Sequence, residues 1–311
     1  MSSFLARASP RVEDLLTVGV VLVLTAVGSL GTVLRGVALS ERNFWELTYF
    51  LAPLSILVFL AALRYAVGGG GEAILHRLGR LLRDWLPFLT FLLVYQSFNN
   101  HLWRALLTRD RDAELLAIDR VLFGETPSVP MQALVHPFLT DVMSIAYFLH
   151  LFLPPALALA WYKADRRGFR EYLLSILVIA VLGSIGYVLV PGAGPVVAYP
   201  ELFHISLESS MYEPITSVMD AARAPRDVFP SLHVGLSSLV LWYGYRLSRR
   251  WFWILLLPVV ANWVSTVYLR YHYLVDVFAG WVVAALAIWI AGLLLVLESR
   301  WKPARLEGER V

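Results

Sequence analysis

The chain has 311 residues, 59% hydrophobic and 16% charged, with a formal net charge of +3. A soluble domain is ~45–50% apolar, and the basic residues here lie in short clusters between apolar runs, a pattern of membrane topology signals rather than a nucleic-acid surface. There is no cysteine, which excludes disulfides, thiolate catalysis and cysteine-type zinc sites.

Eight apolar stretches lie near residues 15–37, 44–66, 84–106, 139–163, 171–190, 231–247, 251–270 and 273–297. A bilayer crossing needs ~20 residues, so the expectation is an all-α, polytopic transmembrane helix bundle of about eight spans with a six-helix core. The run from Leu15 to Leu34 is longer than a signal-peptide core and lacks a small-residue cleavage site, so it reads as a retained first helix. The sixth stretch is short, and Pro53, Pro87, Pro154, Pro155 and Pro258 interrupt others, as neighbouring helices in a membrane permit. Residues 1–83 form two N-terminal helices and an amphipathic loop, 84–298 the core, and 299–311 a charged tail.

The loops carry further signals. Residues 67–84 open on a glycine run and continue as a basic amphipathic stretch, which predicts a segment on the membrane surface. Within 107–138, Asp112 to Phe123 predicts a short interfacial helix. Residues 191–230 form the longest non-spanning stretch and begin with PGAGP. Asn99, Asn100 and His101 make a polar break in the third span, read as helix-to-helix contacts. With the N-terminus in the cytoplasm, most of the 26 Lys and Arg residues fall inside, and the short loops 163–171 and 246–250 are both basic. Both termini are then cytoplasmic. PGAGP, His233, His272 and Asp276 all fall on the periplasmic, extracellular or lumenal side, where they can line one cavity.

Ionisable groups in apolar segments are costly and therefore functional candidates. His272 and Asp276 are four apart, on one face of a helix that starts near Tyr271. The carboxylate can hold one ring nitrogen as a donor and leave the other free as base or nucleophile. His233 follows Pro230 and Ser231 at a helix N-terminus, where free N–H groups favour an anion. A phosphate there would meet His233 as general acid. Cations to hold its oxygens could come from Arg270, Arg223 or Arg226.

FPSLH followed by STVYLRYHYLVD resembles the type 2 phosphatidic acid phosphatase superfamily, whose second motif is P-S-x-H and whose third is S-R-x5-H-x3-D. The chain supplies Pro230, Ser231 and His233, then Ser265, His272 and Asp276 at that spacing. DRVLFGETP and DVMSIAYFLHLFLPP look most like the inositol phosphorylceramide synthase branch. The resemblance covers roughly residues 115–285. It implies that His272 attacks phosphorus and forms a phosphohistidine, that Asp276 orients it, and that His233 protonates the leaving group. It further implies a phospholipid donor and a lipid or other alcohol acceptor, with no metal and no cofactor. The family's phosphate ligands in two motifs have no counterpart. The first motif, K-x6-R-P, is replaced by YVLVPGAGPVVAYP, and the third-motif Arg is Thr266.

Several residues keep two readings. Arg270 fits a phosphate clamp or an interfacial anchor; Arg223 and Arg226 fit phosphate ligands or partners of nearby acids. Gly192 and Gly194 of PGAGP fit a loop that offers backbone N–H groups to phosphate, or a plain turn. Asp141, Tyr147 and His150, in one span, fit acceptor binding or a structural hydrogen-bond network. For the whole chain the expectation is a membrane lipid phosphotransferase. The alternatives are a lipid or polyprenyl (di)phosphate phosphatase with water as acceptor, a metal-dependent hydrolase using the same three residues, and a non-catalytic transporter.

Overall fold

A computed structural model describes residues 11–34, 72–99, 109–222 and 226–301. The expected span at 44–66, the glycine run, Asn100, His101, Arg223 and residues 302–311 of the tail lie outside the described residues.

Within them the chain is helical and without strands: α1 (Val12–Leu34), α2 (Glu72–Asn99), α3 (Asp112–Phe123), α4 (Pro137–Phe148), α5 (Leu153–Ala164), α6 (Arg166–Leu189), α7 (Pro195–Ala198), α8 (Tyr212–Ala222), α9 (Leu232–Leu247), α10 (Arg249–Tyr268) and α11 (Leu274–Trp301). The short helix expected over residues 112–123 is α3. Among the described residues three helices, α6, α10 and residues 274–300 of α11, are long and apolar enough to cross a bilayer. A fourth crossing results if α4 and α5 are counted together. They meet at a 46° bend because Pro154 and Pro155 lack N–H groups and crowd the carbonyls one turn earlier. The stretch 139–163 is thus a broken helix rather than one straight span. The protein is a membrane protein of helical architecture.

α6 and α9 form the centre. Every residue from Tyr172 to Ala180 is buried, and α6 packs against α2, α5, α9 and α11. A helix apolar on all faces belongs inside a bundle. α9 also packs on α10 and α11. Gly280 lets α11 approach the start of α9, since a Cβ there would come within 2.6 Å of Ser231 O.

One end of the bundle is ionic. Arg11 pairs with Asp84 at 2.7 Å, Arg83 with Asp14, Arg166 with Asp84 at 3.1 Å, and Arg170 with both Glu13 (2.7 Å) and Glu298 (2.8 Å). These pairs explain a difference from the expected surface segment. Residues 72–84 continue into the apolar part of α2 as one helix, because the acid and the base in its middle pair with α1 and α6. From Glu298 back to Leu274, α11 covers ~36 Å at 1.5 Å per residue, so His272 and Asp276 lie at the opposite end.

Candidate active site

His272 lies in the turn between α10 and α11. The N–H groups of Tyr271 and His272 both donate to Thr266 O, at 3.1 and 3.0 Å, and Arg270 takes a φ of 67°, which reverses the chain. α11 then begins without a capping side chain, because the residue ahead of it is Tyr273. Asp276, on its first turn, accepts from Tyr273 N at 2.9 Å. This is the return half of a capping box. The other half comes from outside: Asp119 of α3 accepts from Leu274 N and Val275 N, each at 3.0 Å.

The His272 ring is 3% exposed and the Asp276 carboxylate fully buried. Nδ1 of His272 is 2.9 Å from Val228 O and 3.4 Å from Asp276 Oδ2. Both neighbours are acceptors, so this geometry assigns the proton to Nδ1 and leaves Nε2 as the unprotonated nitrogen. Nε2 faces His233 Nδ1 at 3.3 Å. His233 is on the first turn of α9, which Ser231 caps by accepting from Val234 N at 3.4 Å. Ser231 N donates in turn to Asp276 O at 3.1 Å, which ties the start of α9 to the start of α11. The two motifs thus meet through a backbone hydrogen bond as well as through their imidazoles.

Tyr147 stacks on His233 (centroids 4.5 Å apart, planes at 26°) and on Tyr271 (4.9 Å, 28°). His150 meets His233 edge-on at 4.2 Å, and its Nδ1 is 2.6 Å from Tyr147 O. These aromatic contacts limit how the His233 ring can turn. His233, His272, Tyr147, Tyr95, Asp227 and Met219 line a cavity in front of the two histidines.

The other sequence-predicted residues lie elsewhere. Asp141 accepts from Met211 N at 2.7 Å, anchoring the approach to α8. The Arg270 guanidinium donates to Ile205 O at 2.5 Å and lies 4.6 Å over the Phe203 ring; burial lowers its pKa from the ordinary value. Arg226 pairs with Asp110, and that hydrogen bond holds the Asp110 carboxyl below its usual range. In PGAGP the N–H groups of Ala193 and Gly194 donate to Asp112, at 2.9 and 3.0 Å. They are engaged with a carboxylate rather than offered to a phosphate, and Gly192 lies beside the Val228 side chain. Thr266, in the place of the family Arg, donates to Trp263 O at 2.7 Å. No Lys or Arg lines the cavity among the described residues.

Four features of the site escape a reading of the sequence. The Val228 carbonyl, the nearest partner of His272 Nδ1, is backbone and has no residue signature. Tyr95 of α2 donates to Asp227 at 2.9 Å across the cavity, a contact between segments distant in the chain. Asp112 and Asp119 are buried, at 6% and 0% exposure. Their one signal was a spacing of seven, two turns apart on one face of a short apolar helix.

Residues 113–290 match the family model described as the PAP2 superfamily. Over 152 residues, 42% of this chain, the sequence is 25% identical to phosphoinositol dihydroceramide synthase of Bacteroides thetaiotaomicron. That match covers 47% of the relative, so the chain spans about half the length of the curated protein it matches. No solved structure matches the chain.

Proposed function

Because the chain belongs to the PAP2 superfamily, which makes it an enzyme acting on lipid phosphates as phosphotransferase or phosphatase, we propose that it moves a phospho-headgroup from a phospholipid to an alcohol through a phosphohistidine at His272. The observation that carries this reading is the pair of imidazoles. The Nδ1–H of His272 is taken by Val228 O and Asp276, and its Nε2 faces His233 in one cavity.

In the first step the Nε2 lone pair of His272 attacks phosphorus. The bond from phosphorus to the lipid oxygen breaks, and protonated His233 gives its proton to that oxygen. Asp276 balances the positive charge that develops on His272. In the second step neutral His233 takes the proton of the acceptor hydroxyl. The acceptor oxygen attacks phosphorus, the N–P bond breaks, and His272 returns to its starting state. The same groups perform hydrolysis if water enters in the second step, so the acceptor alone separates transferase from phosphatase.

The name of the Bacteroides relative supports an inositol phosphate as the group moved and a ceramide-type alcohol as the acceptor. The basic residues of the ionic end, Arg11, Arg83, Arg166 and Arg170, support a cytoplasmic location for that end. The catalytic groups then face the outer side, and both termini are inside. Arg223 and Arg226, both in the chain just ahead of the cavity-lining Asp227 and Val228, are cations from which a phosphate clamp could be completed. The contacts of Tyr147 and His150 with His233 support assigning these two residues to the acceptor.

The test is purified protein in detergent with a panel of phospholipids and polyprenyl phosphates, with and without ceramide or diacylglycerol. Products are read by mass spectrometry for wild type and His272→Ala. Headgroup transfer to the added alcohol, lost in the variant, is the expected result. Release of phosphate regardless of acceptor makes the protein a phosphatase, and activity that survives in His272→Ala refutes the reading.

A further inference from the structure

The short helix α3 buries two carboxylates beside Leu115 and Leu116. Its exposed side carries Val121 (84% exposed) and Leu122 (59%), while two of its three carboxylates, Asp112 and Asp119, face the protein. A buried carboxylate is tolerated only when its oxygens are met by donors, and both of these are. Asp119 accepts from Leu274 N, Val275 N and the Thr126 hydroxyl, the last at 2.7 Å. Asp112 accepts from Ala193 N, Gly194 N and the Tyr273 hydroxyl, the last at 3.0 Å.

These partners surround His272 on both sides. Beyond it, Asp119 meets the first two N–H groups of α11, which no residue of α11 can satisfy. It thus does from another helix what a capping side chain at Tyr273 would have done. The Tyr273 ring that occupies that place reaches Asp112. Ahead of His272, the loop held by Asp112 supports the turn. Val196 N donates to Arg270 O at 3.0 Å, and Gly194 lies so close beneath Tyr271 that a Cβ would come within 2.2 Å of its carbonyl oxygen. Phe123, at the end of α3, stacks on Phe278 of α11 at 6.1 Å. Residues 270, 271, 273, 274 and 275 are therefore held from α3, directly or through the 193–196 loop, and His272 stands in the middle.

We propose that α3 is a clamp on the catalytic turn, with Asp119 and Asp112 as positioning residues that set where Nε2 of His272 points. The inference rests on the reading of His272 as the attacking group. Neither carboxylate touches the cavity, and their effect passes through the backbone on either side of His272. A misplacement of about 1 Å in a catalytic group can cost on the order of 100-fold in rate.

The experiment compares Asp119→Ala, Asp119→Asn and Asp112→Asn with wild type, and uses Glu298→Gln at the ionic end as a control for general loss of stability. Two readouts are taken on the full chain in detergent: kcat and KM for headgroup transfer, and the rate at which diethyl pyrocarbonate acylates His272 as a function of pH, followed by peptide mass spectrometry. The acylation needs no substrate. We expect kcat to fall about 10- to 100-fold in Asp119→Ala with KM within about twofold, and Asp119→Asn to recover part of it, since the amide oxygen still accepts from one N–H. His272 acylation shifts in rate and pH midpoint in the same order, and Glu298→Gln leaves it at the wild-type value. Should Asp119→Ala fail to fold, the two Asn variants carry the comparison. Wild-type kcat together with wild-type acylation in the Asp119 variants overturns the clamp. An equal acylation shift in Glu298→Gln does so too, because the effect would then be mere loosening. If wild type transfers no headgroup at all, the proposed function fails, while the acylation comparison still decides the clamp.

Discussion

Replacing Asp276 by Asn separates charge from orientation at His272. In many carboxylate–histidine pairs the acid does both jobs. Here Val228 O, at 2.9 Å from Nδ1, is closer than Asp276 Oδ2, at 3.4 Å. The backbone carbonyl keeps the proton on Nδ1 whatever stands at position 276. In the proposed mechanism, what Asn removes is the negative charge beside an imidazole that becomes positive as the N–P bond forms. A unit pair at 3.4 Å, with an effective dielectric of about 20, is worth about 5 kcal/mol. That corresponds to a fall of about 10³ to 10⁴ in kcat. KM changes little, because the charge appears only in the transition state. Folding is preserved: the amide oxygen of Asn still accepts from Tyr273 N, and an uncharged side chain is less costly to bury. The assay is steady-state transfer in detergent with thermal unfolding measured alongside. A variant of unchanged Tm whose kcat stays within tenfold of wild type refutes the argument. So does a fall confined to KM.

His233→Ala removes the proposed proton donor to the leaving oxygen, and general acid–base groups contribute about 10² to 10⁴ in rate. A donor lipid with a more acidic leaving group should recover much of that loss, and no recovery would argue against the role. Gly194→Ala combines a φ of 88° with a Cβ only 2.2 Å from Tyr271 O, so it should lower stability by more than about 1 kcal/mol and reduce kcat through the turn that carries His272, both read on the same preparation. Arg170→Met leaves Glu13 and Glu298, whose side chains are 4% and 8% exposed, without their shared partner. Breaking a buried pair this way costs about 3–5 kcal/mol. Tm should drop while kcat per folded molecule stays at the wild-type value, because this cluster is at the far end of α11 from the histidines.

The sequence by itself determined the helical membrane class, the position of α3, and the grouping of His233, His272 and Asp276. These are local properties. Apolar length marks a span, the Pro-Ser-x-His turn marks the start of α9, and a spacing of four puts His272 and Asp276 within reach of each other. The tertiary structure alone decided which groups those residues meet. Val228 O became the first partner of His272 because the chain ahead of the capped turn at Ser231 passes beside the α10–α11 turn, and a carbonyl carries no residue name. Arg270 was a reasonable phosphate ligand two residues from His272, yet the left-handed backbone at that position turns its side chain onto Ile205 and Phe203. PGAGP was a reasonable anion loop, yet its amides were already claimed by Asp112, 81 residues earlier for Ala193. The break between α4 and α5 was written in Pro154 and Pro155, but its 46° angle depends on what packs on either side. Helix periodicity and motif spacing are set within a few residues and can be read along the chain. Hydrogen-bond partners of buried groups are set by which distant segments pack together, and only the folded chain brings those segments side by side.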